Sequence, residues 1–405
     1  MRTRAWAGAA MVVACMGSAG CWWTQPGGSP GQTFSTYDPY LTVDNVASLQ
    51  KTWSGRGGMS AVFDGTVVGA YWTGSGVDVV AHDLDSGTET WSRTLTPPGA
   101  ISGLPSHAPV VTGTSVWAGY QARTAAGTCV FGFERLDLAT GSVLGADSTR
   151  APVELVPFGD DVALITTTYT PGIPDTCIPS GTNLPGVADG ATGTMEWTGT
   201  SGAQAITVAG DTLLTTAGPV LRSYPTAGCG APSCPAIWQS QPAGVGALND
   251  LAGEATPLFA IAPSGGQLRL HAISAAVGNS LASTLLPFNA SSLAVDGSAV
   301  IVAGQSSLAV YDAGLCAAGA CTPAWTASLG GQATFANGLA VAGGVIYVGR
   351  DDGVVEAFPR AGCGAATCSA LTSVSTGATV LQLAVAQGHL LVGSLDGVTV
   401  FAPTA

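Results

Sequence analysis

Ten cysteines, four histidines and a few paired aspartates are the residues of this 405-residue chain with the chemistry to build a site. Six cysteines form three Cys-x4-Cys pairs: Cys229 with Cys234, Cys316 with Cys321, and Cys363 with Cys368. Thiolates this close together are zinc ligands when enough of them converge on one ion. Each of these loops offers only two, and no histidine stands beside any pair. Oxidised, the same spacing closes a small loop and pins a hairpin, so each pair is read as a local disulfide and no metal site is expected. Cys129 and Cys177 fall in insertions around 120–130 and 169–187 and are expected to form a fourth bridge. That bridge would staple a loop containing Pro171, Pro174, Pro179 and Pro185.

The histidines do not assemble a catalytic set. His82 precedes a recurring Asp, His271 is read as its counterpart further along, and His389 follows Gly388 in a turn. His107, in Leu104-Pro105-Ser106-His107-Ala108-Pro109, is the one whose position suggests a pocket. Asp160-Asp161 and Asp351-Asp352 sit where hairpin turns need Asp and Gly, and require no acid–base role. No P-loop or dinucleotide fingerprint leads from a strand into a helix. The reading is therefore of a chain without a catalytic residue or a cofactor.

The elements that would hold these residues repeat. Asp83-Leu84-Asp85-Ser86-Gly87 leads to Trp91, and Asp189-Gly190-Ala191-Thr192-Gly193 leads to Trp197; Asp137-Leu138-Ala139-Thr140-Gly141 repeats the phrase without the aromatic. Trp53 to Trp91 is 38 residues, Trp197 to Trp238 is 41, and Trp238 to Trp325 is 87, or two units. That period is the period of propeller blades. Within a unit, short apolar stretches alternate with Gly/Asp turns, as in Leu339 to Ala342, Val345 to Gly349 and Val354 to Phe358. Three such strands and a Trp-bearing fourth make one antiparallel blade. Fourth strands are predicted near 50–54, 89–95, 142–147, 194–198, 236–241, 280–286, 323–329 and 371–376. The stretches around 380–402 lack a fourth strand, and the Trp53 stretch lacks the other three. Pairing them closes an all-β, eight-bladed ring over residues 41–405, with the Trp53 strand in blade one.

On these residues the chain resembles the pyrroloquinoline-quinone-type propeller repeat proteins, the superfamily that includes the outer-membrane assembly lipoprotein of the BAM complex. Trp23-Thr24-Gln25-Pro26-Gly27-Gly28 and Leu41 to Leu49, running into Trp53, are similar to that family's opening. The phrases at 83–91 and 189–197 match its Asp-x-x-Thr-Gly-x-x-x-Trp signature, with Ser86 in place of Thr. The resemblance implies a fold and no ligand, because the family hosts both enzymes and scaffolds. Its quinone-dependent enzymes carry an adjacent Cys-Cys pair, and this chain has none.

Arg2 and Arg4 followed by the uncharged stretch Ala5 to Gly20 read as an export signal over residues 1–20. Ser18-Ala19-Gly20-Cys21 resembles the lipobox of bacterial lipoproteins, which implies acylation of Cys21. Residues 21–40 read as a short Gly/Pro/Ser-rich tether. Charged residues are 9% of the chain, Lys51 is its only lysine and the net charge is −13, which excludes a phosphate-binding surface for nucleic acid. Contact with a membrane is expected through the anchor alone. The expected molecule is a monomeric, extracytoplasmic, lipid-anchored scaffold binding an envelope protein or small ligand on its loop-rich face. The competing expectations are a glycan- or peptide-directed hydrolase or lyase with axial carboxylates, and an envelope assembly factor.

Overall fold

The computed structural model describes residues 28–29, 34–73, 76–95, 100–105, 108–168, 182–242, 245–248, 250–334 and 338–404. Cys21, His107 and Cys177 lie outside the described residues, as does the whole segment read as an export signal.

The described residues form eight blades, each a mostly antiparallel sheet of four principal strands. Blade one joins Val380–Ala386, His389–Ser394 and Gly397–Pro403 to Leu49–Gly55. Blade two runs from Met59–Phe63 to Glu89–Thr94, and blade three from Ala100–Pro105 to Val143–Asp147. Blades four and five end on Met195–Gly199 and Trp238–Ser240, blades six and seven on Ser280–Leu285 and Pro323–Ser328, and blade eight on Thr372–Ser375. The fourth strands stand where the Trp spacing places them. Closure is also as expected: Leu49 pairs with Pro403 and Gly55 with Val398, antiparallel, so the first and last strands of the ring share one sheet.

Burial follows position in the blade. The second strand of blade seven, Ala299–Gly304, reads AVIVAG and is buried throughout, because neighbouring blades cover both its faces. The fourth strand of blade two, Glu89–Thr94, buries only Trp91 and turns the rest to solvent. The core between blades is dominated by Ala, Val, Leu and Ile, with Trp117, Tyr224, Tyr311, Tyr347, Phe259 and Phe358 fully buried among them, close-packed between neighbouring sheets.

The tryptophans explain the recurring phrase. Its Gly does not serve the Trp that follows it in sequence; it receives the Trp of the preceding blade. A Cβ on Gly87 would sit 2.6 Å from the Trp53 ring, and one on Gly141 would sit 2.6 Å from Trp91, so both positions must be Gly. Trp53 Nε1 donates to the Leu84 carbonyl at 2.7 Å, and Trp91 Nε1 donates to that of Leu138 at 2.8 Å. The Asp of each phrase shapes the turn: Asp83 Oδ1 accepts from Ser86 N and Oγ, and Asp137 Oδ1 from Thr140 N and Oγ1. These Ser86 hydrogen bonds hold the Asp83 carboxyl below the usual range.

In blades five and eight the disulfide loops do the same work without the Asp. Cys229–Cys234, Cys316–Cys321 and Cys363–Cys368 are bonded, each between the third and fourth strands of its blade, as the spacing predicts. In blade five, Ser233–Cys234 pairs in parallel with Thr198–Gly199 on the outer edge of blade four, and Trp197 Nε1 donates to Thr226 O at 3.1 Å. In blade eight, Thr367 bridges Thr326 of blade seven, and Trp325 Nε1 donates to Arg360 O. In blade seven Asp312 caps a short helix, Ala313–Ala317, whose last turn leads into the Cys316–Cys321 loop, an element not expected from the sequence.

Candidate functional site

Strands alternate direction, so the first-to-second and third-to-fourth turns share one face of the ring, and the second-to-third turns share the other. The insertions belong to the second face. The one around 120–130 is not a loop: it lengthens a hairpin, Ser115–Thr124 paired with Cys129–Asp137 through the Thr124–Thr128 turn. Cys129 opens that third strand, is 5% exposed and is disulfide-bonded. Of the insertion holding Cys177, residues 169–181 lie outside the described residues, and Pro185, expected in the loop, lies instead on the third strand Asn183–Asp189, opposite Ile165. The first strand of blade three is split into Ala100–Pro105 and Val110–Thr112, and His107 falls in the gap.

On the opposite face the structure shows a cleft of ≈ 590 Å³. The first turns of blades six, seven and eight line it with Glu254, Thr256, Asp296, Gly343 and Gly344. Ser35–Tyr37, part of the stretch read as a tether, forms another wall. Ser35 and Thr36 pair in parallel with Val341 and Ala342, the first strand of blade eight. The strap continues outward. Asp38, 1% exposed, accepts from Tyr40 N (2.8 Å), Leu41 N (3.0 Å) and Gly388 N (2.8 Å). Three backbone donors satisfy a carboxylate that burial would otherwise penalise, and they tie the strap to blade one. A 3-10 turn follows over Val46–Ser48, with Asn45 at its N-cap position. Within the cleft, Ser35 Oγ donates to Asp296 Oδ1 at 3.0 Å, and Asp296 is ion-paired with Arg360.

The other titratable groups divide by blade. His82 has its ring nitrogens 3.0 Å from Arg56 O and 3.2 Å from Gly87 O, joining blade one to the phrase of blade two. His271 is not its counterpart. Ser274 accepts from Gly278 N as Asp83 does from Gly87 N, so the residue equivalent to His82 is Ile273. His271 lies two positions earlier, 3% exposed, with neither ring nitrogen hydrogen-bonded, and burial lowers its pKa. His389 begins a strand and has Nε2 3.7 Å from Asp85. Among the described residues one carboxylate group has the spacing of a cation site: Asp161, Asp189 and Glu196 offer ligand atoms within 4.8 Å of one another. Asp189 Oδ1 is already engaged by Ala191 N and by Thr192 N and Oγ1. Arg135 donates to Ala191 O, and Asp189 favours its charged form against burial. The trio thus has a resident cation beside it and reads as turn chemistry.

No protein-family model matches this chain, and no curated protein matches it. Solved structures match at the level of fold. A quinohemoprotein alcohol dehydrogenase, ADHIIG from Pseudomonas putida HK5, aligns with a TM-score of 0.65 at 12% identity over 98% of this chain and 82% of its own. BamB from Moraxella catarrhalis aligns at 0.56 and 17% identity, over 87% of this chain and 99% of its own. The computationally designed Ika8 protein aligns at 0.59 and 15% identity, over 87% and 98%. The chain therefore has the propeller fold shared by the quinohemoprotein dehydrogenases and BamB, and identities this low carry nothing about activity.

Proposed function

We propose that this chain is a non-catalytic, extracytoplasmic propeller that acts as a binding scaffold, anchored through acylated Cys21. The observation that carries the reading is where the ionisable side chains go. His82, the phrase aspartates and Asp38 are engaged with backbone groups that hold turns and blades together. Glu89 takes both Arg56 Nη2 and Nε, and Glu356 takes Arg350 Nη1 at 2.7 Å. Chemistry that serves the ring is not poised for turnover. The disulfides support residence in an oxidising compartment, outside the cytoplasm. Such a disk, latched at its blade boundaries, presents preformed faces, and preorganisation lowers the entropic cost of binding.

The test is affinity capture from native membranes, after crosslinking, with residues 21–405 as bait. A Cys129→Ser variant lacking residues 170–181 serves as the control. A stoichiometric envelope partner lost with that segment is the expected result and places recognition on the loop-rich face. Recovery of no partner by either bait overturns the scaffold reading. Acylation is tested separately, by metabolic labelling with an alkyne fatty acid: label present in the wild type and absent from Cys21→Ser is expected.

A further inference from the structure

The cleft walled by the strap has a charge asymmetry that the packing of the ring does not require. Of its two lining carboxylates, Asp296 is neutralised: Arg360 pairs with its side chain, and Arg360 Nη2 donates to its carbonyl at 2.6 Å. Glu254, on the first turn of blade six, is exposed and has no ion-pair partner among the described residues. Tyr37 lines the same cleft and is 67% exposed, although the segment is tied down on both sides of it. A carboxylate and an aromatic face in one concavity are the two groups that attract an organic cation. The cleft, at ≈ 590 Å³, has the size of small-molecule and peptide sites and exceeds what a single side chain fills. Ser35–Thr36 pairs only with Val341–Ala342 among the described residues, leaving backbone groups to meet an extended chain. A net charge of −13 steers cations toward the molecule as a whole.

From this juxtaposition we infer that the cleft binds a lysine-bearing extended peptide segment of the partner, with Glu254 taking the ammonium and Tyr37 covering it. The inference rests on the scaffold reading and names the chemistry of the ligand. It places a second contact on the face opposite the insertions.

Trilysine titrated into residues 21–405 by calorimetry at low salt tests it, with trialanine as the control. Binding of trilysine and not of trialanine is expected, weakening as salt is raised. Glu254→Gln and Tyr37→Ala are each expected to weaken it about fivefold, the scale of one exposed charge or cation–π contact. Both side chains are exposed, so unchanged urea midpoints verify that the variants fold. Absence of trilysine binding, or binding that both variants leave intact, overturns the site. If the captured partner survives the double variant, this inference falls and the scaffold stands. If trilysine binds but no partner is captured, the cleft's affinity for lysine stands, and its assignment to a partner falls with the scaffold reading.

Discussion

Two buried ionisable groups show how differently a residue can be accommodated. Asp38 is as buried as a core valine, yet it accepts three backbone hydrogen bonds and costs the fold little. His271 is buried to a similar degree with neither ring nitrogen bonded. Its desolvation, with Arg269 adding a smaller effect, holds its folded pKa below the ordinary value of about 6.5. A depressed histidine leaves the fold at full stability above the unfolded pKa, and stability is lost as pH falls below it, because the unfolded chain takes the proton more readily. Urea midpoints measured at pH 7.5 and at pH 5 should therefore fall further in the wild type than in His271→Leu. Equal falls in the two proteins would refute the assignment. The sequence carries one sign of the difference, Gly87 five residues after His82 and Gly278 seven residues after His271, but the hydrogen bonds that set the register of each turn are what tell the two apart.

At the scale of elements, the molecule solves one problem, fastening each blade to the next, in several ways. Five boundaries use a Trp received by a Gly of the following blade: Trp53–Gly87, Trp91–Gly141, Trp197–Gly228, Trp238–Gly278 and Trp325–Gly362. Where blade three lacks the Trp, Arg135 reaches Ala191 O in blade four in its stead. Blade six lacks it too, and there Ala313 and Cys316 of the short helix join the blade six core. At the boundary of blades eight and one, Leu41 and Val46 of the N-terminal segment pack in a cluster with Val374. Trp197 is the strongest test of a latch, being 2% exposed and stacked 5.9 Å from Tyr224. Trp197→Ala should cost about 3–5 kcal/mol in urea unfolding, whereas Trp72→Ala, at a position 54% exposed, should lie within about 0.5 kcal/mol of the wild type. The disulfide loops belong to the same scale. Replacing Cys229 and Cys234 together by Ser should remove roughly 2 kcal/mol by the loop-closure argument, read from the same urea curves. A loss near zero would mean that the parallel pairing holds the loop closed without the bond.

For the whole molecule, closure is the decisive fact. Leu49–Gly55 has no other strand of its own blade nearby in sequence, and it completes a sheet made of residues more than three hundred positions away. A chain ending at residue 376 would expose that strand and the open flank of blade eight. It should be recovered as aggregates by size-exclusion chromatography, because unpaired edges seek strands on other chains. A monodisperse product would show that blades two to eight can close without blade one. The repeat, the blade count, the closing pair and the Cys-x4-Cys bridges were legible in the sequence, because period, alternation and spacing are local or periodic properties of the chain. The destination of each Trp, the strap across the cleft, the substitution by Arg135 and the separation of His271 from His82 were decided by tertiary structure. Each depends on which residues of different blades come within a few ångströms, and contacts between units leave no periodic mark within one.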